Sequence, residues 1–416
     1  MSERASGDEE KKIFPAGFLW GAATASYQVE GYNENCDWAK AARSGKVPQA
    51  GRLADHYHRY EEDFDIAKKL GHNAHRFSVE WGRIEPKEGV FDKDEIEHYR
   101  EVLRALQARG ITPYVTLWHF TLPIWFAEKG GFEHPDAPQI FARYCAFVVK
   151  SFGTLCDHYS TINEPNVYAT HGYLYGAWPP FKRASFFGKK LGKEDGTSER
   201  TGATASFSNF LAYLRVVRNL AQSHNAAYDA IKKVRKKADV SVVKHVHHFD
   251  HNGRFWNRLR ARVMSHFQTH AFMKMVAHKL DTIGLNYYRH TRFGDNKNYL
   301  LTDMGWNINP SGIYGAIMAL TRYQKPIIIA EAGIADRADT IRAEYIRLQV
   351  AAVHKAIEDG ADVRGHMYWS LLDNYEWALG TEMRFGLVEI DYDTLKRTIR
   401  PSAHFYRKII EKNAIL

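Results

Sequence analysis

Two stretches of the chain, Thr161-Ile162-Asn163-Glu164-Pro165 and Ile329-Ala330-Glu331-Ala332-Gly333, each close an apolar, β-branched run with a single glutamate. A buried strand that gives way to a loop, with a carboxylate at its C-terminal end, is where a barrel enzyme carries catalytic groups. Two such carboxyls facing one cavity are the minimum equipment for cleaving a glycosidic bond. In the retaining route one attacks the anomeric carbon. The other protonates the leaving oxygen and then takes a proton from the incoming water. The two must differ in proton affinity, so their neighbours decide the roles. A carboxylate near Arg76 and hydrogen-bonded by Tyr288 is favoured as the anion, whereas one in a drier corner keeps its proton near neutrality. The residues alone do not say which glutamate occupies which place.

Groups so far apart in sequence need a scaffold that brings strand ends together. Candidate strands cover residues 18–24, 74–79, 112–119, 159–163, 240–247, 282–287, 326–331 and 365–371, and amphipathic helical segments cover 57–70, 93–109, 138–158, 209–236, 340–359 and 401–412. Strands alternating with helices imply parallel pairing through crossover helices. Eight such units, averaging about 52 residues, predict an α/β fold, a single (β/α)8 TIM barrel with extended βα loops over residues 13–416. Residues 1–12 read as a tail without ordered structure. An open doubly wound sheet is the rival, weakened because no Gly-rich phosphate turn follows the first strand. In a barrel the strand ends converge, which would make neighbours of Gln28, Glu30, Arg76, His119, Asn163, Glu164, Asn286, Tyr288, Glu331 and Trp369.

Composition narrows the function classes. At 416 residues with 45% hydrophobic side chains, the chain can bury a large core without disulfides. Its three cysteines, Cys36, Cys145 and Cys156, have no CxxC spacing and read as reduced, buried thiols of a cytoplasmic protein. The first twelve residues contain no apolar segment of a secretory leader, and no apolar run is long enough to span a bilayer, so no membrane partner is expected. The net charge of +9 raises nucleic acid as a partner. The basic clusters at 232–237 and 254–262 lie in helical stretches, where a solvated face is the plainer reading, and no nucleic-acid module accompanies them. Nucleic acid is therefore not expected.

The motifs carry a dense resemblance. The opening run Phe18-Leu19-Trp20-Gly21-Ala22-Ala23-Thr24-Ala25-Ser26-Tyr27-Gln28-Val29-Glu30-Gly31 resembles the first-strand signature of family 1 glycoside hydrolases, the β-glucosidase and β-galactosidase family. So do Arg76-Phe77-Ser78-Val79-Glu80-Trp81, Asn163-Glu164-Pro165-Asn166 and Gly284-Leu285-Asn286-Tyr287-Tyr288. Trp369-Ser370-Leu371-Leu372-Asp373-Asn374-Tyr375-Glu376-Trp377 is similar to the family's sugar-binding loop, and Arg384-Phe385-Gly386-Leu387 follows in order. The resemblance runs from Phe14 to Tyr406. It implies a (β/α)8 barrel, Glu164 as general acid/base and Glu331 as nucleophile. It also implies that Gln28, His119, Asn163, Glu376 and Trp377 grip the sugar hydroxyls, that Trp369 offers an apolar ring face, and that Arg76, Asn286 and Tyr288 support the carboxylates.

The same resemblance implies small β-glycosides or oligosaccharides as substrates and no cofactor. The expected activity is a retaining exo-β-glycosidase acting on terminal β-D-glucosyl and also β-D-galactosyl or β-D-fucosyl units. Glu376 would repel a 6-phosphate, which favours unphosphorylated sugars. Glu164 is the residue that the family's plant thioglucosidases lack, which favours O-glycosides.

Three departures bear on that expectation. The nucleophile motif, commonly Thr-Glu-Asn-Gly, reads Ala330-Glu331-Ala332-Gly333, and lost polar neighbours could loosen Glu331. The motif commonly His-Trp-Asp-Leu-Pro reads His119-Phe120-Thr121-Leu122-Pro123. The chain is short between the fifth and sixth strands, where residues 250–280 have room for one helix. This predicts a thin or mobile wall, an additional apolar cavity and low turnover. The alternative function is a sugar-binding barrel without competent geometry. His245 and His247 share a strand face beside His248 and His251, but no acid or cysteine is spaced to complete a metal set. His56 and His58 read as starting and packing a helix, and Glu80, Glu382 and Glu389 as structural or solvated.

Overall fold

Eight short parallel strands carry the β-branched runs: β1 (Leu19–Ala23), β2 (Ala74–Ser78), β3 (Thr112–Trp118), β4 (His158–Asn163), β5 (Asp239–His245), β6 (Thr282–Tyr287), β7 (Ile327–Ala332) and β8 (Val363–Trp369). In the computed structural model, which describes residues 12–186, 189–190, 205–294 and 299–415, they pair in sequence order and close through β8 and β1. This is the TIM barrel that the alternation predicts. The expected tail, Lys12 apart, lies outside the described residues.

Besides short helical turns, the helices that follow or cover the strands are α1 (His56–Lys69), α2 (Lys93–Ala108), α3 (Ala137–Phe152), α4 (Phe207–Val234), α5 (Phe255–Ser265), α6 (Ala271–Val276), α7 (Gly312–Thr321), α8 (Arg342–Glu358) and α9 (Pro401–Lys412). Local chemistry sets several boundaries. Asp92 accepts the Asp94 and Glu95 N–H groups at the start of α2, and the Ser206 hydroxyl accepts the Asn209 N–H at the start of α4. Helix α3 stops at Phe152 rather than running to His158, because Gly153 turns the backbone to φ 57°.

Helix α7 has no counterpart among the predicted segments. Its two glycines weaken the helical signal. Gly315 is there for contact, since a Cβ on it would collide with the His248 ring.

Alternation along the strands sorts side chains between two cores. On β7, Ile327 and Ile329 face outward into the main core beneath the helices, and Ile328 packs inward with Tyr114 and Met367. Each fully buried isoleucine contributes about 1.5–3 kcal/mol. The alternation breaks where function begins. The β7–β8 register shifts between Ile329 and Ala332, and the β4–β5 register shifts between Ser160 and Asn163. An irregularity of this kind re-aims side chains. Here it turns Glu331 and Asn163 toward the barrel axis, although strict alternation would send both outward.

Strand β5 ends at His245, so His245 and His247 do not share a strand face as expected. Beyond it, His248–His251 pairs with His290–Phe293 in a separate two-stranded ribbon. The β5–β6 connection holds one continuous helical run, as expected, in which α5 and α6 are joined by a π turn at His266–His270. Phe272, Met273 and Val276 close the barrel wall from α6, while the large apolar side chains of α5 point to solvent. Instead of lining the expected apolar cavity, the segment's apolar residues divide between wall and surface. All three cysteines are free and buried.

Candidate active site

The two glutamates arrive from opposite sides of the barrel mouth and are joined by hydrogen bonds. On β7, the Glu331 carboxylate takes a short hydrogen bond and ion pair from the Arg76 guanidinium of β2, and its other oxygen accepts the Tyr288 hydroxyl at 2.8 Å. Arg76 also donates to Thr116 Oγ1 at 2.9 Å and to Asn163 Oδ1 at 2.8 Å. Asn286, at the end of β6, donates to Glu164 Oε1 at 2.8 Å and approaches Asn163 Oδ1 at 3.3 Å. Arg76, Asn163 and Asn286 thus form a bridge between the carboxyls. Glu164 is held at φ 43° just after β4, with Pro165 opening the short helix Pro165–Ala169. Proline suits a first helical position, where its missing N–H would have no partner.

These neighbours make the carboxyls unequal. Glu331 is 3% exposed and meets a guanidinium, whereas Glu164 is 7% exposed and meets only the neutral Asn286 amide. Burial, then the charge of Glu331, pushes Glu164 up to about 8, against the Asn286 hydrogen bond and the charges of Lys244 and Arg76. One carboxyl is equipped to stay protonated near neutrality beside another that is paired with a cation. Glu376 is also pushed up to about 8, by loss of water and then by Glu331. Burial and Arg76 hold His119 well below the ordinary histidine value, so its ring is neutral.

The sugar-facing candidates collect around the same opening. The Asn163 amide and His119 Nε2 lie 3.2 Å apart. The His119 ring lies 6.0 Å from both Trp369 and Trp377, nearly parallel to each. The loop after β8 is pinned from below. Buried Asp373 accepts the Gly386 N–H at 2.9 Å and two hydrogen bonds from Arg400, at 3.0 and 3.1 Å. It is pinned also from the side, where Gln28 Nε2 donates to Tyr375 O at 2.7 Å and to Asn374 Oδ1 at 3.0 Å. These bonds place Glu376 and Trp377 over the mouth. Gln28 Oε1, His119 Nδ1 and Asn286 Oδ1 are buried without a hydrogen-bond partner among the described residues. Buried polar atoms of this kind are ready acceptors or donors for ligand hydroxyls. All eleven sequence-predicted residues therefore meet at one site.

Ala330 and Ala332 do not loosen Glu331. Ala330 lines the barrel interior beside Arg76, and Ala332 is fully buried in the outer core, so neither occupies a place from which it would hold the carboxylate. Arg76 and Tyr288 hold it instead. Replacing Tyr288 with Phe removes a hydrogen bond to a charged acceptor, worth about 1.5–3 kcal/mol. A fall in kcat of roughly 10- to 100-fold is expected, checked by steady-state kinetics alongside an unchanged melting temperature. In the other altered motif, Phe120 packs 5.1 Å from Trp377 and Thr121 donates to Glu80 at 2.9 Å.

Some contributors escaped the sequence reading. Thr116 braces Arg76, Asn374 accepts from Gln28, and the Trp306 ring lies 6.0 Å from Tyr288. Only the second lies within a motif quoted for the family; the others carry no local signal. Lys244 is buried and drawn down to about 7 by loss of water, with Glu164 opposing that shift. Glu30, at the first strand's end, turns away to accept from Tyr99 at 2.8 Å and Arg83 at 3.1 Å. Glu80 is buried and structural, Glu382 pairs with Arg337 at the surface, and His56 opens α1 against Asp63 at 2.8 Å. His247 lies 2.8 Å from the Thr291 hydroxyl. Among the described residues no group of three or more His, Cys, Asp or Glu side chains is placed to hold a metal ion.

Comparison with known proteins gives matches across the chain. A sequence model described as glycosyl hydrolase family 1 matches residues 10–278 and 264–415. A 1,4-beta-D-glucan glucohydrolase of Thermotoga neapolitana is 30% identical, covering 97% of this chain and 99% of its own. A beta-galactosidase of Sulfolobus acidocaldarius is also 30% identical, covering 97% and 96%. Among solved structures, the beta-glucosidase of Thermotoga maritima in complex with glucoimidazole superposes with a TM-score of 0.87 at 29% identity, over 97% of this chain and 100% of that one.

Proposed function

The chain belongs to glycosyl hydrolase family 1 and is a β-glycosidase acting on O-glycosides, and from that premise we propose a retaining, exo-acting enzyme with Glu331 as nucleophile and Glu164 as general acid/base. The observation that carries this division is the unequal surroundings of the two carboxyls, with the Arg76 guanidinium and Tyr288 hydroxyl on Glu331 and a neutral amide on Glu164. In the first step, Glu331 attacks the anomeric carbon as Glu164 gives its proton to the leaving oxygen. In the second, Glu164 takes a proton from water, which displaces Glu331. Carboxyls about 5–5.5 Å apart suit this route, and the Arg76–Asn163–Asn286 bridge that links the two carboxyls supports a close approach.

Terminal β-D-glucosyl units are the proposed substrate, with β-D-galactosyl and β-D-fucosyl units as alternatives. Support comes from the likeness to glucosidases and a galactosidase, and from the unpartnered atoms of Gln28, His119 and Asn286 around the mouth. Glu376 offers a phosphate no positive charge, which favours unphosphorylated sugars. A panel of nitrophenyl glycosides tests the sugar preference, and NMR of the first-formed anomer tests retention. A product of inverted configuration would refute the mechanism.

The raised Glu164 value sets the pH dependence. The general acid must be protonated, so kcat/KM on a substrate with a poor leaving group is expected to fall as pH rises through about 8. This basic limb should vanish in Glu164→Ala and persist in Glu376→Gln, which separates the two carboxyls that burial pushes up to about 8.

A further inference from the structure

Helix α5 presents its apolar face away from the protein. Asn257, Ala261 and Ser265 pack against the body, whereas Phe255, Trp256, Leu259 and Val263 face solvent, followed one turn later by Phe267. At 3.6 residues per turn, the centre of that apolar arc lies opposite Ala261. The exposures are high, at 69% for Phe255 and Trp256 and 66% for Phe267. A surface helix of a globular protein normally buries its apolar stripe. Isolated exposed apolar residues are ordinary, but a contiguous aromatic stripe marks an interaction surface.

Charge identifies the partner. No Asp or Glu occurs from Asn252 to Leu280, and Arg258 and Arg262 flank the stripe on one side with Arg260 on the other. Among the described residues none of these guanidiniums meets a carboxylate. A second copy docking through the same face would set arginines against arginines, because a two-fold interface is self-complementary. An isolated convex helix also offers no groove for a peptide. Aromatic insertion bordered by arginines fits an anionic lipid surface, where rings enter the acyl boundary and guanidiniums meet phosphates.

We propose that α5 is an interfacial anchor that lies in the headgroup layer of an anionic bilayer. The expectation of no membrane partner rested on the lack of a spanning segment, and an anchor of this kind needs none. Among the described residues no helix is long and apolar enough to cross a membrane. The helix packs on the His248–His251 ribbon beyond the C-terminal end of β5, where the His245 ring lies 6.2 Å from Tyr288. Docking there holds the rim of the candidate active site against the headgroups.

The test is co-sedimentation of the full chain with vesicles of phosphatidylcholine alone or mixed with phosphatidylglycerol, scored without substrate and so independent of the catalytic reading. Binding to the anionic vesicles is expected. It should fall at least about tenfold in the double variant Phe255→Ser/Trp256→Ser, since two large rings leave the acyl boundary. Arg258→Gln/Arg260→Gln/Arg262→Gln should abolish the preference for anionic lipid. Trp256→Phe should bind normally yet lose the quenching of tryptophan fluorescence by bromolipid, which keeps the proposal testable if the double variant misfolds. Absence of binding to anionic vesicles, binding indifferent to Phe255→Ser/Trp256→Ser in a folded protein, or a solution dimer that this variant dissociates would each overturn it. Salt-sensitive binding to duplex DNA that survives the same variant, without vesicle binding, would also overturn it.

Discussion

Glu331→Ala is expected to lower turnover of an aryl β-glucoside by on the order of 10⁴-fold or more, because the proposed route loses its attacking carboxylate. The variant leaves a small hollow between the Arg76 guanidinium and the Tyr288 hydroxyl, the two groups that hold the carboxylate. Azide is small and anionic and suits that hollow. Its nitrogen bonds the anomeric carbon as the aglycone oxygen leaves with the Glu164 proton. The product should be a glycosyl azide of configuration opposite to the substrate, identified by NMR. Alanine also leaves Arg76 buried without its partner, at a cost of about 3 kcal/mol or more in fold stability. A melting curve therefore belongs beside the kinetics. A folded Glu331→Ala protein with wild-type turnover would end the assignment of roles.

Glu164→Ala should produce the second large effect, graded by the leaving group. An alkyl or sugar alcohol needs a proton as its bond breaks, so its kcat/KM should fall roughly 10²- to 10⁴-fold. A dinitrophenolate leaves without help, and its first step should change little. Water then lacks a base, so the glycosyl-enzyme accumulates and a burst precedes slow turnover. Azide should accelerate that step and give a glycosyl azide with the configuration of the substrate. The opposite configurations of the two azide products assign the two glutamates independently of any structure. Equal losses for alkyl and dinitrophenyl glucosides would show that Glu164 is not the proton donor.

The barrel was legible because its signal is local. A run such as Ile327-Ile328-Ile329 favours a strand wherever it lies, and eight such runs separated by helical segments leave few closed arrangements. Helix α7 was hidden because Gly312 and Gly315 weaken the helical pattern, and Gly315 answers to the His248 ring rather than to its own neighbours. The His245–His247 face was misread for a similar reason. Val246 gives its N–H to Asn286 O from beyond the strand, and the chain re-pairs only at His248, in the second ribbon.

The motifs alone named Glu164 and Glu331, and their residue types alone pointed to carbohydrate chemistry. Which way those side chains aim was decided by register shifts between strands, since alternation by itself would turn Glu331 out of the barrel. The unequal surroundings of the two carboxyls were decided by Arg76 of β2 and Tyr288 just past β6, which folding brings to Glu331 and not to Glu164. The outward stripe of α5 likewise emerged only in three dimensions, because an amphipathic pattern records that a helix has two faces but not which of them meets the protein. A sequence encodes local period and composition. Electrostatic roles and exposure depend on partners that only folding supplies.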